Sequence, residues 1–152
     1  MRTFMHRVSL GVALLGLSAA SQAAEWVLEP GSQVTFEYSY GTDPYEGRFT
    51  NVQANFDIDP MRPTSCKFDV TINIEDIEVD SPEVLDYLLD YELFDVDTWP
   101  TATFSAKSCR LTGVNTFESD GTLTIRDQTN PMTFPFELNI ETCDGQVCFH
   151  MT

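Results

Sequence analysis

Alternation of apolar and polar residues with a period of two runs through most of this chain. It is the pattern of strands that keep one face wet and one face dry. Val34, Phe36, Tyr38 and Tyr40 alternate with Thr35, Glu37 and Ser39. Val52, Ala54, Phe56 and Ile58 alternate with Gln53, Asn55 and Asp57. Phe68, Val70, Ile72 and Ile74 interleave with Lys67, Asp69, Thr71 and Asn73, and Ala102, Phe104 and Ala106 with Thr101, Thr103 and Ser105. Leu123 and Ile125 follow, and then Met132, Phe134, Phe136, Leu138 and Ile140 among Thr133, Glu137 and Asn139. Turn chemistry separates these runs: Gly41 to Pro44, Asp59-Pro60 with Pro63, Gly113, Asp120-Gly121 and Asp144-Gly145.

One stretch departs from the pattern. Ser81-Pro82-Glu83 supplies an N-cap, a first-turn proline and an early acid, and Val84, Leu85, Leu88 and Leu89 fall on one helical face. A helix over residues 82–90 is predicted. Consecutive antiparallel strands with aromatic-rich inner faces predict an all-β sandwich or barrel. A barrel removes exposed edges and can hold an apolar ligand, although an inner face filled by its own rings satisfies the same pattern.

The N-terminus reads as an export signal. Arg2, His6 and Arg7 are basic, residues 8–20 are apolar, and Ser21-Gln22-Ala23 is a small-x-small cleavage site. The apolar run is shorter than the ~20 residues a spanning helix needs. Residues 1–23 are therefore expected to be removed, leaving residues 24–152 as one domain in the periplasm, with no stable membrane insertion.

The chain carries 8 Lys and Arg against 24 Asp and Glu, a net charge of −16. Loss of Arg2 and Arg7 with the signal makes this −18. Such a chain repels phosphate backbones, so nucleic acid is a poor partner.

All four cysteines lie in the expected mature part, and an even count in an exported chain reads as disulfides. Of three pairings, Cys143–Cys148 and Cys66–Cys109 are favoured. Residues 144–147 read as a hairpin loop that sets Cys143 opposite Cys148 on the wet face and pairs Ile140 with Met151 on the dry one. Cys66 shares the phase of Phe68, whereas Cys109 has the opposite phase to Phe104. A one-residue bulge within residues 106–108 would reconcile them.

Catalytic patterns are scarce. The expected mature chain has one histidine, His150, two residues from its end, which is a poor base for a triad. The carboxylates of Asp86, Asp90, Glu92, Asp95 and Asp97 lack the loop spacing of a calcium site and read as a solvated face. No Gly-rich phosphate loop occurs. No enzyme activity, metal or cofactor is expected.

Five stretches, in order, resemble the YceI-like family. They are Trp26-Val27-Leu28 with Ser32-Gln33-Val34-Thr35-Phe36; Glu46-Gly47-Arg48-Phe49; Phe56-Asp57-Ile58-Asp59-Pro60; Glu92-Leu93-Phe94-Asp95-Val96 with Trp99-Pro100-Thr101-Ala102-Thr103-Phe104; and residues 121–129 with Pro131 and Pro135. The resemblance implies a lipocalin-like antiparallel barrel with one short helix. It also implies a long apolar tunnel for a polyisoprenoid chain, such as the tail of a quinone or of a prenyl carrier. Placed on the dry phase, that tunnel is lined by Val34, Phe36, Tyr38, Tyr40, Phe56, Phe68, Val70, Ile72, Phe104, Leu123, Phe134 and Phe136, with Phe94 added from beyond the helix.

The family pattern is departed from at Gly31 and Tyr40, where its members often carry histidine. Family members also continue with further strands after a segment like residues 149–152. Either the sequence is a fragment, or the strand at residues 147–151 is expected to leave an open edge, closed by a partner chain or prone to self-association into a homo-oligomer. A carrier of an isoprenoid or similar long apolar lipid is the function expected, a quinone tail ahead of a prenyl pyrophosphate. A ligand-free interaction or stress-response module is the alternative.

Overall fold

The computed structural model describes residues 26–152 apart from 41 and 60, so the expected signal at residues 1–23 lies outside the described residues. Nine strands and one helix follow in order. They are β1 (Val34–Tyr40), β2 (Asp43–Phe49), β3 (Val52–Ile58), β4 (Cys66–Asn73), a 3-10 turn (Ile74–Asp76), β5 (Ile77–Glu78), α1 (Pro82–Leu89), β6 (Thr101–Leu111), β7 (Thr116–Ile125), β8 (Gln128–Cys143) and β9 (Gln146–Met151). All strand pairs are antiparallel. They form a three-stranded sheet in the order β1-β2-β5 and a six-stranded sheet in the order β3-β4-β6-β7-β8-β9. The larger sheet curls, so that its strands and the smaller sheet face a common interior, as the barrel class requires.

The alternation is realised as burial. Along β4 the side chains of Cys66, Phe68 and Ile72 are buried, and along β6 those of Ala102, Phe104 and Ala106. The interior has two packed ends. One gathers Ile58, Phe68, Ala106, Phe117, Phe136 and Leu138. The other gathers Phe49, Ile74, Ile77 and Leu88, with Val84, Leu85 and Leu89 bringing the apolar face of α1 onto it. The helix begins where Ser81-Pro82 predicts and stops at Leu89, because the chain turns back: Phe94 N–H donates to the Leu88 carbonyl at 3.0 Å.

Both disulfides form as paired in the sequence reading. Cys66 joins Cys109 with Cα atoms 5.7 Å apart, and the bulge falls between Ala106 and Cys109. Without that shift Cys109 would face away from β4. Cys143 joins Cys148, but the register differs from expectation. The turn is the two residues Asp144-Gly145, with φ of 50° and 78°. Asp-Gly is the preferred pair for such a turn, and it shortens the four-residue loop that was expected. Cys143 therefore pairs with Gln146, Glu141 with Cys148, Ile140 with Phe149 and Leu138 with Met151. The bridge is diagonal, and Ile140, expected on the dry side with Met151, is instead 73% exposed.

Asp120-Gly121, expected as a turn, makes none. Gly121 lies mid-strand, paired with Ala106 on one side and Met132 on the other. A Cβ there would collide with the Ser105 carbonyl and the Phe104 ring, so the glycine serves close approach rather than reversal. The chain reverses at Arg126-Asp127, between Ile125 and Gln128, with Arg126 at φ 55°.

On the outer face of the larger sheet, Asp69 on β4 faces its cross-strand partner Ser105 on β6. It pairs with Lys67 Nζ at 2.9 Å and accepts from Ser105 Oγ at 2.9 Å. The Lys67 contact first, and the Ser105 hydroxyl second, hold its carboxyl below the usual range. A depressed carboxyl stabilises the fold above its unfolded value of about 3.9 and loses that contribution as pH falls through the folded one. Asp69→Asn should therefore narrow the gap in melting temperature to the unaltered chain as pH is lowered below about 4, measured by thermal melts at stepped pH. The effect should be small because the side chain is half-exposed.

Candidate functional site

The two packed ends do not fill the space between the sheets. A cavity of about 680 Å³ remains, lined from β1, β2, β3, β4, β6, β7, β8 and β9 and from the stretch before β1. That volume lies within the ~300–1,000 Å³ usual for ligand pockets.

Ten of the thirteen residues expected to line an interior do line it: Val34, Phe36, Phe56, Phe68, Val70, Ile72, Phe94, Phe104, Leu123 and Phe134. Rings pack around it in series. Phe36 meets Phe49 with centroids 5.0 Å apart, Phe49 meets Phe94 edge-on at 6.1 Å, Phe56 meets Phe68 at 5.1 Å, and Phe104 meets Phe134 at 6.1 Å. Phe94 is held in place from outside the strands, where Arg126 Nη1 donates to the Leu93 carbonyl at 2.8 Å. Phe134 touches Phe68 and Phe104 yet stays 38% exposed, and Met132 beside it 39%. Large apolar side chains left uncovered on an inward face leave apolar surface for something else to cover.

Three expected residues do not line the cavity or cannot be placed on it. Phe136 is buried at one packed end, stacked on Phe117 at 5.4 Å, although it has the same phase as Phe134. Tyr38 stacks on Tyr45 of β2 at 5.6 Å. Tyr40 closes β1, and its side chain lies outside the described residues.

Other lining residues were in the dry phase but not singled out: Val52, Ala54, Ala102, Ile125 and Met132. Phe49 follows the same rule along β2, but Gly47, beneath the Phe36 ring, interrupts its alternation. Trp26 carried no periodic signal. It packs against the first core end and donates Nε1–H to the Ile58 carbonyl at the end of β3, at 3.1 Å. Three residues on, Glu29 Oε1 lies 3.4 Å from His150 Nδ1 on β9. Among the described residues β3 and β9 pair on one side only, and this N-terminal stretch touches both.

The decisive comparison is with domain families: the YceI-like domain matches residues 26–152. This chain belongs to the YceI-like family. The YceI-like chain is similar to a UPF0312 protein of Azotobacter vinelandii, 29% identical over 129 residues, covering 82% of this chain and 67% of that one. It is also similar to a UPF0312 protein of Pseudomonas putida, 29% identical over 138 residues, covering 88% and 71%. Among solved structures it resembles BcnA of Burkholderia cenocepacia, with TM-score 0.64, 22% identity and coverage of 77% and 72%. The YCEI protein of Campylobacter jejuni resembles it with TM-score 0.61, 19% identity and coverage of 92% and 73%. These likenesses show a shared fold.

The lining of the cavity of the YceI-like chain is apolar over most of its extent. Its walls are rings and branched aliphatics. Five polar residues line it, all from two stretches: Glu29, Ser32 and Gln33 before β1, and His150 and Thr152 at the end of β9. Ser32 Oγ donates to the Glu29 carbonyl at 2.8 Å. Among the described residues, no group of three His, Cys, Asp or Glu is placed to hold a metal ion, and no helix is long and apolar enough to cross a membrane.

Proposed function

We propose that this protein is an extracytoplasmic carrier that holds a polyisoprenoid, or a similar long apolar lipid, in the cavity between its sheets. The observation that carries this reading is an apolar interior left unfilled, with Phe134 and Met132 still exposed towards it. Each five-carbon unit brought out of water contributes a few kcal/mol at roughly 0.8 kcal/mol per CH2. Several units could then be held with few polar contacts. Selection would come from the length and shape of the space. Export fits the basic-apolar-small pattern of residues 1–23 and the two disulfides, which persist in oxidising compartments. The strong negative charge favours a quinone tail over a prenyl pyrophosphate.

Mass spectrometry of an organic extract of the purified protein tests this directly. A stoichiometric isoprenoid or other long-chain lipid is expected, and an extract free of lipid would count against a carrier. Ala54 lines the cavity from β3, opposite Val70 on β4. Ala54→Trp should occupy the space a chain would use and cut retained lipid at least tenfold, with little change in melting temperature. Full retention by that variant would place the lipid elsewhere.

A further inference from the structure

We propose that the Glu29–His150 pair is a head-group subsite that reads a neutral hydroxyl at the end of the bound apolar chain. This rests on the reading that an apolar chain fills the cavity. The polar lining is not scattered. It comes from two stretches that meet where Glu29 Oε1 approaches His150 Nδ1 at 3.4 Å, with Ser32 tied to Glu29 and Thr152 two residues beyond His150. The remaining lining residues are apolar. A ligand with one polar end and one long apolar end has a single matching orientation here, with its head at this rim and its tail among the phenylalanines.

The pair also sets the chemistry of the head. A carboxylate accepts hydrogen bonds and an imidazole can donate one, so together they match a group that donates and accepts at once. A hydroxyl does both. A pyrophosphate would meet the Glu29 carboxylate with like charge. Among the described residues, no Lys or Arg lines the cavity to offset that repulsion. Most cationic side chains are already engaged elsewhere: Arg48 with Glu78, Arg62 with Asp59, Lys67 with Asp69, and Arg110 with Glu118 and Asp120. A neutral ether would accept from the imidazole but leave the carboxylate without a donor.

Three probes with one tail separate these cases: geranylgeraniol, its methyl ether and geranylgeranyl pyrophosphate, titrated calorimetrically into the delipidated full chain. The alcohol should bind about tenfold more tightly than either of the others, the scale of one hydrogen bond to a charged group at a partly solvated rim. The penalty on the pyrophosphate should shrink at high salt. Glu29→Gln should reduce that penalty, Glu29→Ala should bring the alcohol down to the level of the ether, and His150→Phe should weaken the alcohol and the ether alike. Equal affinity for all three probes, or a preference for the pyrophosphate, would overturn the subsite and leave the apolar cavity as the binding determinant. If no probe binds, the carrier reading itself fails, and the subsite with it.

Discussion

Phe68→Ala is expected to lower the unfolding free energy by about 4 kcal/mol, the range for a large aromatic removed from a core. Phe68 is fully buried on β4, an interior strand of the larger sheet. Its ring meets Phe56 at 5.1 Å and Phe136 at 5.2 Å, both edge-on, and reaches Phe134 at 6.5 Å. No neighbour can collapse into the gap without breaking these contacts, so the cavity cost adds to the lost burial. In a domain of this size the melting temperature should fall by on the order of 15 °C. Phe56→Ala, at a half-buried position on β3, should cost clearly less. Urea unfolding of both variants checks this. A loss below about 1 kcal/mol at Phe68 would mean that the interior repacks freely and does not keep two packed ends around a persistent cavity.

The two disulfides should contribute unequally. Cys66–Cys109 closes a loop with a sequence separation of 43, and Cys143–Cys148 one of 5. Loop-closure entropy alone gives about 4 kcal/mol for the first and about 2 kcal/mol for the second. The first also ties β4 to the far side of the bulge in β6, with both cysteines buried. Replacing Cys66 and Cys109 together by alanine should therefore lower stability roughly twice as much as replacing Cys143 and Cys148. Denaturant midpoints of the two double variants measure the difference. Equal losses would indicate that the bridge in the β8–β9 hairpin restrains more than its own turn.

Local patterning determined a large part of this protein. A strand buries every second residue, so phase alone located the dry faces of β1, β3, β4 and β6. The phase conflict between Cys109 and Phe104 was enough to place the bulge. The proline, the serine before it and the apolar spacing after Asp80 placed α1. Ordered motifs, read as a resemblance, pointed to the family that the match over residues 26–152 then showed. Each of these signals is carried by residues close together in the chain.

What only the tertiary structure decided depends on distant partners. Phe134 and Phe136 share one phase, yet Phe136 is sealed against Phe117 and Phe68 while Phe134 borders empty space. Which of the two is core and which is wall depends on how far the sheet curls. Gly121 looked like a turn because a glycine's local signature is the same whether it reverses the chain or admits the Phe104 ring. The β8–β9 register turned on a two-residue difference in loop length that both readings of Asp-Gly allowed. The rim where Glu29 meets His150 joins residues 121 positions apart. Such a juxtaposition leaves no periodic trace, because neither side chain constrains its own neighbours, and it exists only once Trp26 anchors the N-terminal stretch to the end of β3.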